Sequence, residues 1–204
     1  LRTYMLGCGS SRRQGRPLAA EERQEEGEDN SEIIAPQDTK LLSAEVARLP
    51  QVQLLAENGE LQAWMAEAEQ IPYLLLEIGR LREVTFRGIG EGTGKPFDID
   101  RFDQHYLHIF LWHKERREVA GAYRLGRCDK ILQSVGKTGL YTSTLFKYRS
   151  KLFERLGPAL ELGRSFVRVE YQRSYTPLLL LWKGIGAFVV ANPQYRTLFG
   201  PVSI

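Results

Sequence analysis

The chain has 204 residues, with 28 Lys+Arg against 25 Asp+Glu, a net charge of +3 and 43% hydrophobic residues. This describes one globular domain, or one domain with a tail, and excludes a collagen-like or wholly disordered polymer. Two cysteines, Cys8 and Cys128, are too few for a disulfide framework or a four-thiolate metal site. Nothing demands oxidation, so a reducing compartment is the expectation. A net charge this small gives no nucleic-acid field. Within the basic residues, however, 20 are Arg and 8 are Lys, and Arg is the side chain whose fork matches carboxylates.

In chain order, residues 10–38 place Arg12, Arg13 and Arg16 before a block of acids and hold few large apolar residues. Residues 1–40 therefore read as a poorly ordered linker or the tail of an upstream domain, and 41–204 as one domain, truncated at its C-terminus. Val52–Glu57 and Leu61–Met65 flank Asn58-Gly59, which predicts a hairpin with a type I′ turn. From Glu69 to Phe86 the apolar positions have helical spacing, with Pro72 in the first turn. Residues 87–103 form a Gly-rich loop. His105–Trp112 and Val119–Leu125 predict a second hairpin across the charged Lys114–Glu118 turn. Phe146–Leu156 reads as a short helix ending at Gly157-Pro158, and Leu160–Val169 as a strand. Thr176 is expected to cap a helix that has Pro177 first and ends at Asn192-Pro193. The Leu178–Leu181 run in it reads as core, and Trp182 and Phe188 as core or the lining of an acyl tunnel. Leu198–Ile204 reads as a final strand. The order predicts an α/β fold, a mixed sheet covered by helices.

Several motifs fail. The run Gly88–Pro96 is not a P-loop, because Ile89 and Pro96 stand where Gly and Ser/Thr are needed. His105, His108 and His113 are the only histidines, and His105 and His108, three apart on a strand, face opposite ways. No metal site is expected. No Gly-x-Ser-x-Gly elbow supports a serine hydrolase.

Four segments carry charge where a sheet core calls for apolar residues: Arg82 with Phe86, Asp100 with Asp103, Tyr123-Arg124-Leu125, and Glu161-Leu162-Gly163-Arg164-Ser165. A buried carboxylate is paired or functional. Glu161 and Arg164 read as a structural pair or as part of a site. On a regular strand they face opposite ways, and a bulge at Gly163 would return both to one side. Arg82 reads equally as a charge on the exposed face of its helix or as part of a site.

In this order the segments resemble the GNAT-like N-acyltransferases. The likeness is to ornithine-lipid and N-acyl-amino-acid synthases and hemolysin-like proteins, and more distantly to acyl-homoserine-lactone synthases. It covers about residues 50–204 and includes Tyr171-Gln172-Arg173, Leu181–Gly184 and Leu198-Phe199-Gly200. The resemblance implies a mostly antiparallel sheet flanked by helices. It also implies transfer of an acyl or 3-hydroxyacyl group from a thioester to an amino acid amine. Glu161, Asp100 and Asp103 are the implied catalytic residues. Arg82, Phe86, Arg124, Arg164 and Ser165 are implied on the acceptor, and Val167, Arg168, Arg173 and Thr176 on the donor. No tightly bound cofactor is implied. The co-substrate is acyl carrier protein (acyl-ACP) or acyl-CoA, and the run before Pro177 has no Gly-rich pyrophosphate loop, which favours the carrier protein. Arg149, Lys151, Arg155, Arg168 and Arg173 are the basic residues that would meet an acidic carrier. The alternatives are a lactone-type signal synthase and a non-catalytic domain beside a phospholipid acyltransferase. The implied location is the cytoplasm, with peripheral contact at the inner membrane as a further expectation.

Overall fold

The computed structural model describes residues 2–6, 31–149 and 151–201. Most of the polar stretch at 10–38 and the end of the expected last strand, residues 202–204, lie outside them. Residues 31–38 run without regular structure, and Ser31 and Ile34 donate backbone bonds to Gly94 and Pro96.

Helix α1 (Thr39–Arg48) starts where the Asp38 carboxylate accepts from Lys40 N–H at 2.8 Å. Strands β2 (Leu54–Asn58) and β3 (Leu61–Glu67) form the first hairpin. Its turn differs from the expected one. Asn58 pairs with Leu61, so Gly59 and Glu60 are the turn residues, and of these Gly59 has the positive φ (58°). Helix α2 (Pro72–Arg87) follows, with Pro72 in its first turn. Because Pro lacks an N–H, the next two orphan donors, Tyr73 and Leu74, go to buried Glu45 of α1 at 2.9 and 2.8 Å.

The second hairpin is β4 (Leu107–His113) and β5 (Glu118–Arg127). After it come two short helices, α3 (Cys128–Ser134) and α4 (Leu152–Leu156). The helix expected from Phe146 covers only the α4 residues. Strand β6 (Ala159–Val167), helix α5 (Thr176–Ala191) and strand β7 (Thr197–Pro201) complete the order. Thr176 is inside α5 rather than its cap. Tyr175 holds the cap position without a side-chain bond, and the Ser174 hydroxyl accepts from Thr176 N–H at 3.2 Å. Residues Arg2–Leu6 form β1.

Among the described residues the strands make one sheet in the order β1-β7-β6-β5-β4-β3-β2. The pairs from β2 to β6 are antiparallel, while β6/β7 and β7/β1 are parallel. One face is packed by α5, whose Leu180, Leu181, Ile185 and Phe188 meet Leu107, Ile109, Leu111, Leu125 and Leu160. The other face is packed by α1 and α2, whose Leu74, Ile78 and Leu81 meet Trp64, Phe110, Trp112 and Ala122. The expected core run is split: Leu180 and Leu181 are buried, but Leu178 and Leu179 are exposed. A helix that is apolar all round gives no sequence signal for which side is covered.

Candidate active site

Two departures from regular strand geometry build the site. The β6/β7 ladder ends at Glu161 opposite Phe199, while β6 runs on to Val167. On its other side β6 carries a bulge. Gly163 pairs with Arg124 and Phe166 with Ala122, so Arg164 and Ser165 together oppose Tyr123. The expected bulge is therefore present, but Arg164 rather than Gly163 takes the left-handed conformation (φ 50°). A non-glycine residue held there is strained, a state that clusters at functional sites.

The bulge returns Arg164 to the face that carries Glu161. Tyr141 stands between them: its N–H donates to the Tyr106 hydroxyl at 2.9 Å, and the Arg164 guanidinium lies 5.3 Å from its ring. Tyr106 in turn donates to Glu161 Oε2. Glu161 Oε1 accepts the Thr142 N–H at 2.6 Å, and the Thr142 hydroxyl accepts from Tyr148. Glu161 is 1% exposed. Burial, then Glu161 itself, push the Tyr106 phenol pKa upward, so Tyr106 stays a donor. The Tyr106 ring reaches this position because residue 126 is Gly; a Cβ there would collide with the ring.

Beyond Tyr106 lies a charged cluster. Arg82 donates to both carboxylate oxygens of Asp103 at 3.1 Å and through Nε to the Asp98 carbonyl at 3.0 Å. Arg124 Nη1 meets Asp100 at 2.7 Å and Asp103 at 3.3 Å. Arg164 Nε stands 3.6 Å from the Asp98 carboxylate. The Asp100 and Asp103 side chains accept from Phe102 and Asp100 N–H at 2.8 Å, which folds the loop around them. Burial alone would raise Asp103, but Arg82 and Arg124 outweigh it and hold its carboxyl far below the usual range. Asp98 goes the other way: burial raises it more than Arg82 and Arg164 lower it. His108 donates from Nε2 to the Asp103 carbonyl at 2.9 Å, and burial pushes its pKa down to about 4, so it sits neutral.

Arg82 is thus fully buried, not on an exposed helix face. The loop through Asp98–Asp103 folds back over that side of α2, which helical periodicity does not reveal. Arg124 is equally buried, within 5.0 to 5.8 Å of the Tyr106, Tyr141 and Phe102 rings. Its Nε and Nη2 have no hydrogen-bond partner among the described residues.

Phe86 is half-buried, 5.9 Å from the Arg164 guanidinium. Ser165 is exposed on the bulge. Val167, Arg173 and Thr176 lie where β6 ends and α5 begins. Arg168 belongs to its own acids, Glu118 at 2.8 Å and Glu170 at 2.9 Å. Arg173, Val169 and Glu170 line a cavity of about 500 Å³. The Gly-rich loop is also accounted for. Thr93 and Gly94 N–H groups point at the buried Glu83 carboxylate at 2.9 Å, so the chain's own anion fills it. Burial would raise Glu83, and bonds from Thr93, Arg87 and Gly94 outweigh that and lower it. Cys128 is buried, with its thiol pKa pushed up by burial and by Glu161, and offers no thiolate. Among the described residues no group of His, Cys, Asp and Glu is placed to hold a metal.

Asp98, Tyr106, His108, Tyr141, Thr142 and Tyr148 carried no sequence signal. They reach the site from loops and neighbouring strands, and two of them act through a backbone N–H that any residue type could supply.

Residues 81–182 match the acetyltransferase (GNAT) domain family. This span holds every member of the cluster. The chain is also similar to the glycine N(alpha)-acyltransferases of Phocaeicola vulgatus and Bacteroides thetaiotaomicron. It is 35% identical to each over 85% of its own length, covering 56% and 54% of theirs. It thus spans about half the length of these relatives. No solved structure matches it. The domain match, over a mixed sheet with a buried carboxylate where two parallel strands part, places this chain in the GNAT acetyltransferase-domain family.

Proposed function

We propose that this chain performs acyl transfer from a thioester to the amine of a small amino acid; the relatives are named for N-acylation of glycine. The observation that carries the reading is Glu161, a buried carboxylate at the last rung of the β6/β7 ladder with each oxygen held by one donor. One lone pair on each oxygen stays available. The acceptor arrives as an ammonium carboxylate and must lose a proton before it attacks. Glu161 takes that proton. The nitrogen bonds to the thioester carbon, and the tetrahedral oxyanion meets backbone N–H groups of β6 beyond the ladder. The C–S bond then breaks, the second amine proton goes to the departing sulfur, and an amide and a free thiol remain.

Arg124 supports an amino acid as acceptor. Its two unpartnered donors are adjacent on one edge of the guanidinium, the fork that fits a carboxylate. The three rings around it favour an acceptor with little or no side chain, which agrees with glycine. Asp100 and Asp103 position Arg124, and Arg82 positions Asp103. Arg164 lies over the Tyr141 ring that also faces Arg124, with Phe86 5.9 Å from its guanidinium, and Ser165 is exposed on the adjoining bulge. Val167, Thr176 and Arg173 flank the donor approach, where the pantetheine arm adds along the β6 edge beyond Glu161, which no strand pairs with among the described residues. Exposed Arg173, with Arg149, Lys151 and Arg155, suits an acidic acyl carrier protein carrying a fatty or 3-hydroxyfatty acyl group.

The test is product analysis by mass spectrometry. The full-length protein is supplied with acyl-ACP or acyl-CoA and with glycine, ornithine or S-adenosylmethionine. N-acylglycine is the expected product, and Glu161→Gln is expected to lower kcat by roughly 10²–10⁴-fold. Arg124→Lys is expected to raise KM for glycine more than it lowers kcat. Lactone formation, or no amide from any amino acid, would overturn the reading.

A further inference from the structure

Between Pro177 and Ala191 the only polar side chain of α5 is Lys183. One side of the helix packs on the sheet through Leu180, Leu181, Gly184, Ile185 and Phe188. The opposite side is also apolar and lies in the open: Tyr175, Leu178, Leu179 (56% exposed), Trp182 (43%) and Val190 (82%). Most of these recur at intervals of three and four, so they form one stripe. A helix that is apolar all round belongs in a covered place, and a contiguous exposed stripe marks a contact surface. The helix does not find cover by spanning a bilayer. It has 16 residues, about 24 Å, and one side of it is already committed to the sheet. No helix among the described residues is long and apolar enough to cross a membrane.

Charge indicates what covers the stripe. From Tyr171 to the end of the sequence there is no Asp or Glu, while Arg173, Lys183 and Arg196 are present. The nearest acid before it, Glu170, is paired with Arg168 at 2.9 Å. Leucines and a valine flanked by Tyr and Trp, with basic residues at the margin and no acids, is the composition of a helix lying in a lipid interface. Tyr and Trp rings suit the headgroup level, and Arg and Lys suit anionic headgroups.

We propose that the outer face of α5 docks on an anionic lipid surface, with Leu178, Leu179 and Trp182 at the acyl boundary and Arg173 and Lys183 at the phosphates. This does not depend on the acyl-transfer reading.

The test is co-sedimentation of the full-length protein with vesicles of phosphatidylcholine alone or of phosphatidylcholine and phosphatidylglycerol in equal parts. Binding to the anionic vesicles is expected, weakening as salt is raised. Trp64 and Trp112 are buried, so a blue shift in tryptophan emission on binding reports Trp182 and is absent in Trp182→Phe. The double variant Leu178→Asp with Leu179→Asp, checked for fold by circular dichroism, is expected to lose roughly tenfold or more in affinity. Lys183→Glu is expected to lose less. Failure to co-sediment with either vesicle, or unchanged binding by the double variant, would overturn the proposal. So would protection of Trp182 from acrylamide quenching before lipid is added, since that would show the face already covered by protein.

Discussion

The two faces of the central sheet follow the same alternation of side chains and reach opposite solutions. On the α5 face, β4, β5 and β6 present Ile109, Leu111, Leu125 and Leu160, and burial is apolar throughout. On the α2 face, the alternate residues of the same strands include His108, Arg124 and Glu161, each 1% exposed. The first face gains stability for every side chain it buries. The second takes charged groups out of water, and its ion pairs at best offset that desolvation. One face of the sheet is thus given wholly to apolar burial, while the other divides between the apolar core under α1 and α2 and a buried charged cluster, and the strand period of two keeps the two faces apart.

The contrast is broken most severely at Asp103. Asp103→Ala is expected to destabilise by roughly 3–5 kcal/mol in denaturant titration, because Arg82 and Arg124 lose their shared partner while still buried. Pairing it with Arg82→Leu should recover part of that loss without restoring the proposed acyl transfer. If the single and double variants are equally stable, the cluster is not the coupled unit described. On the apolar face, Leu111→Ala is expected to cost about 2–5 kcal/mol from lost transfer energy and a cavity. Its KM for the proposed amino acid acceptor should be unchanged in the folded fraction.

The smallest effect is on pH dependence. His108 has a pKa near 4 in the fold and ~6.5 unfolded. As pH falls the unfolded chain takes the proton first, so this contribution to stability is complete above ~6.5 and is lost down to about 4. The loss amounts to roughly 3 kcal/mol. Asp98, raised by burial, acts in the opposite sense at the acid end. His108→Gln compared with the wild type therefore isolates the histidine. Its stability should vary less across that window, and an unchanged slope would show that His108 is not buried neutral.

Much of the architecture was legible in the chain because periodicity is local. The α2 spacing, the two hairpins and the β6 strand all follow from runs of five to sixteen residues. Glu161 and Arg124 were also legible, as charges written into strand-like segments that otherwise read as core, and Asp100 with Asp103 were picked out by the family resemblance. Details that depend on neighbours were not. Asn58-Gly59 signals a turn, but pairing to Leu61 set its centre one residue later. Thr176 has the chemistry of a cap, yet α5 begins on it. Arg82 looks exposed in a helical pattern, and only the returning loop buries it. Tyr106 and Glu161 are 55 positions apart, and Thr142 and Glu161 are 19 apart.

What the sequence determined by itself was the set of elements and the residue types available for chemistry. Hydrophobic period, turn residues and charge in strand-like runs act over one or two turns of chain. What the tertiary structure alone decided was which charges meet. The bulge that returns Arg164 to the Glu161 side, and the parting of β6 from β7, arise from how strands register against one another. So do the free edge of Arg124 and the bare side of α5. The physical reason is that burial and pairing are properties of a neighbourhood, and a chain acquires its neighbourhoods only by folding.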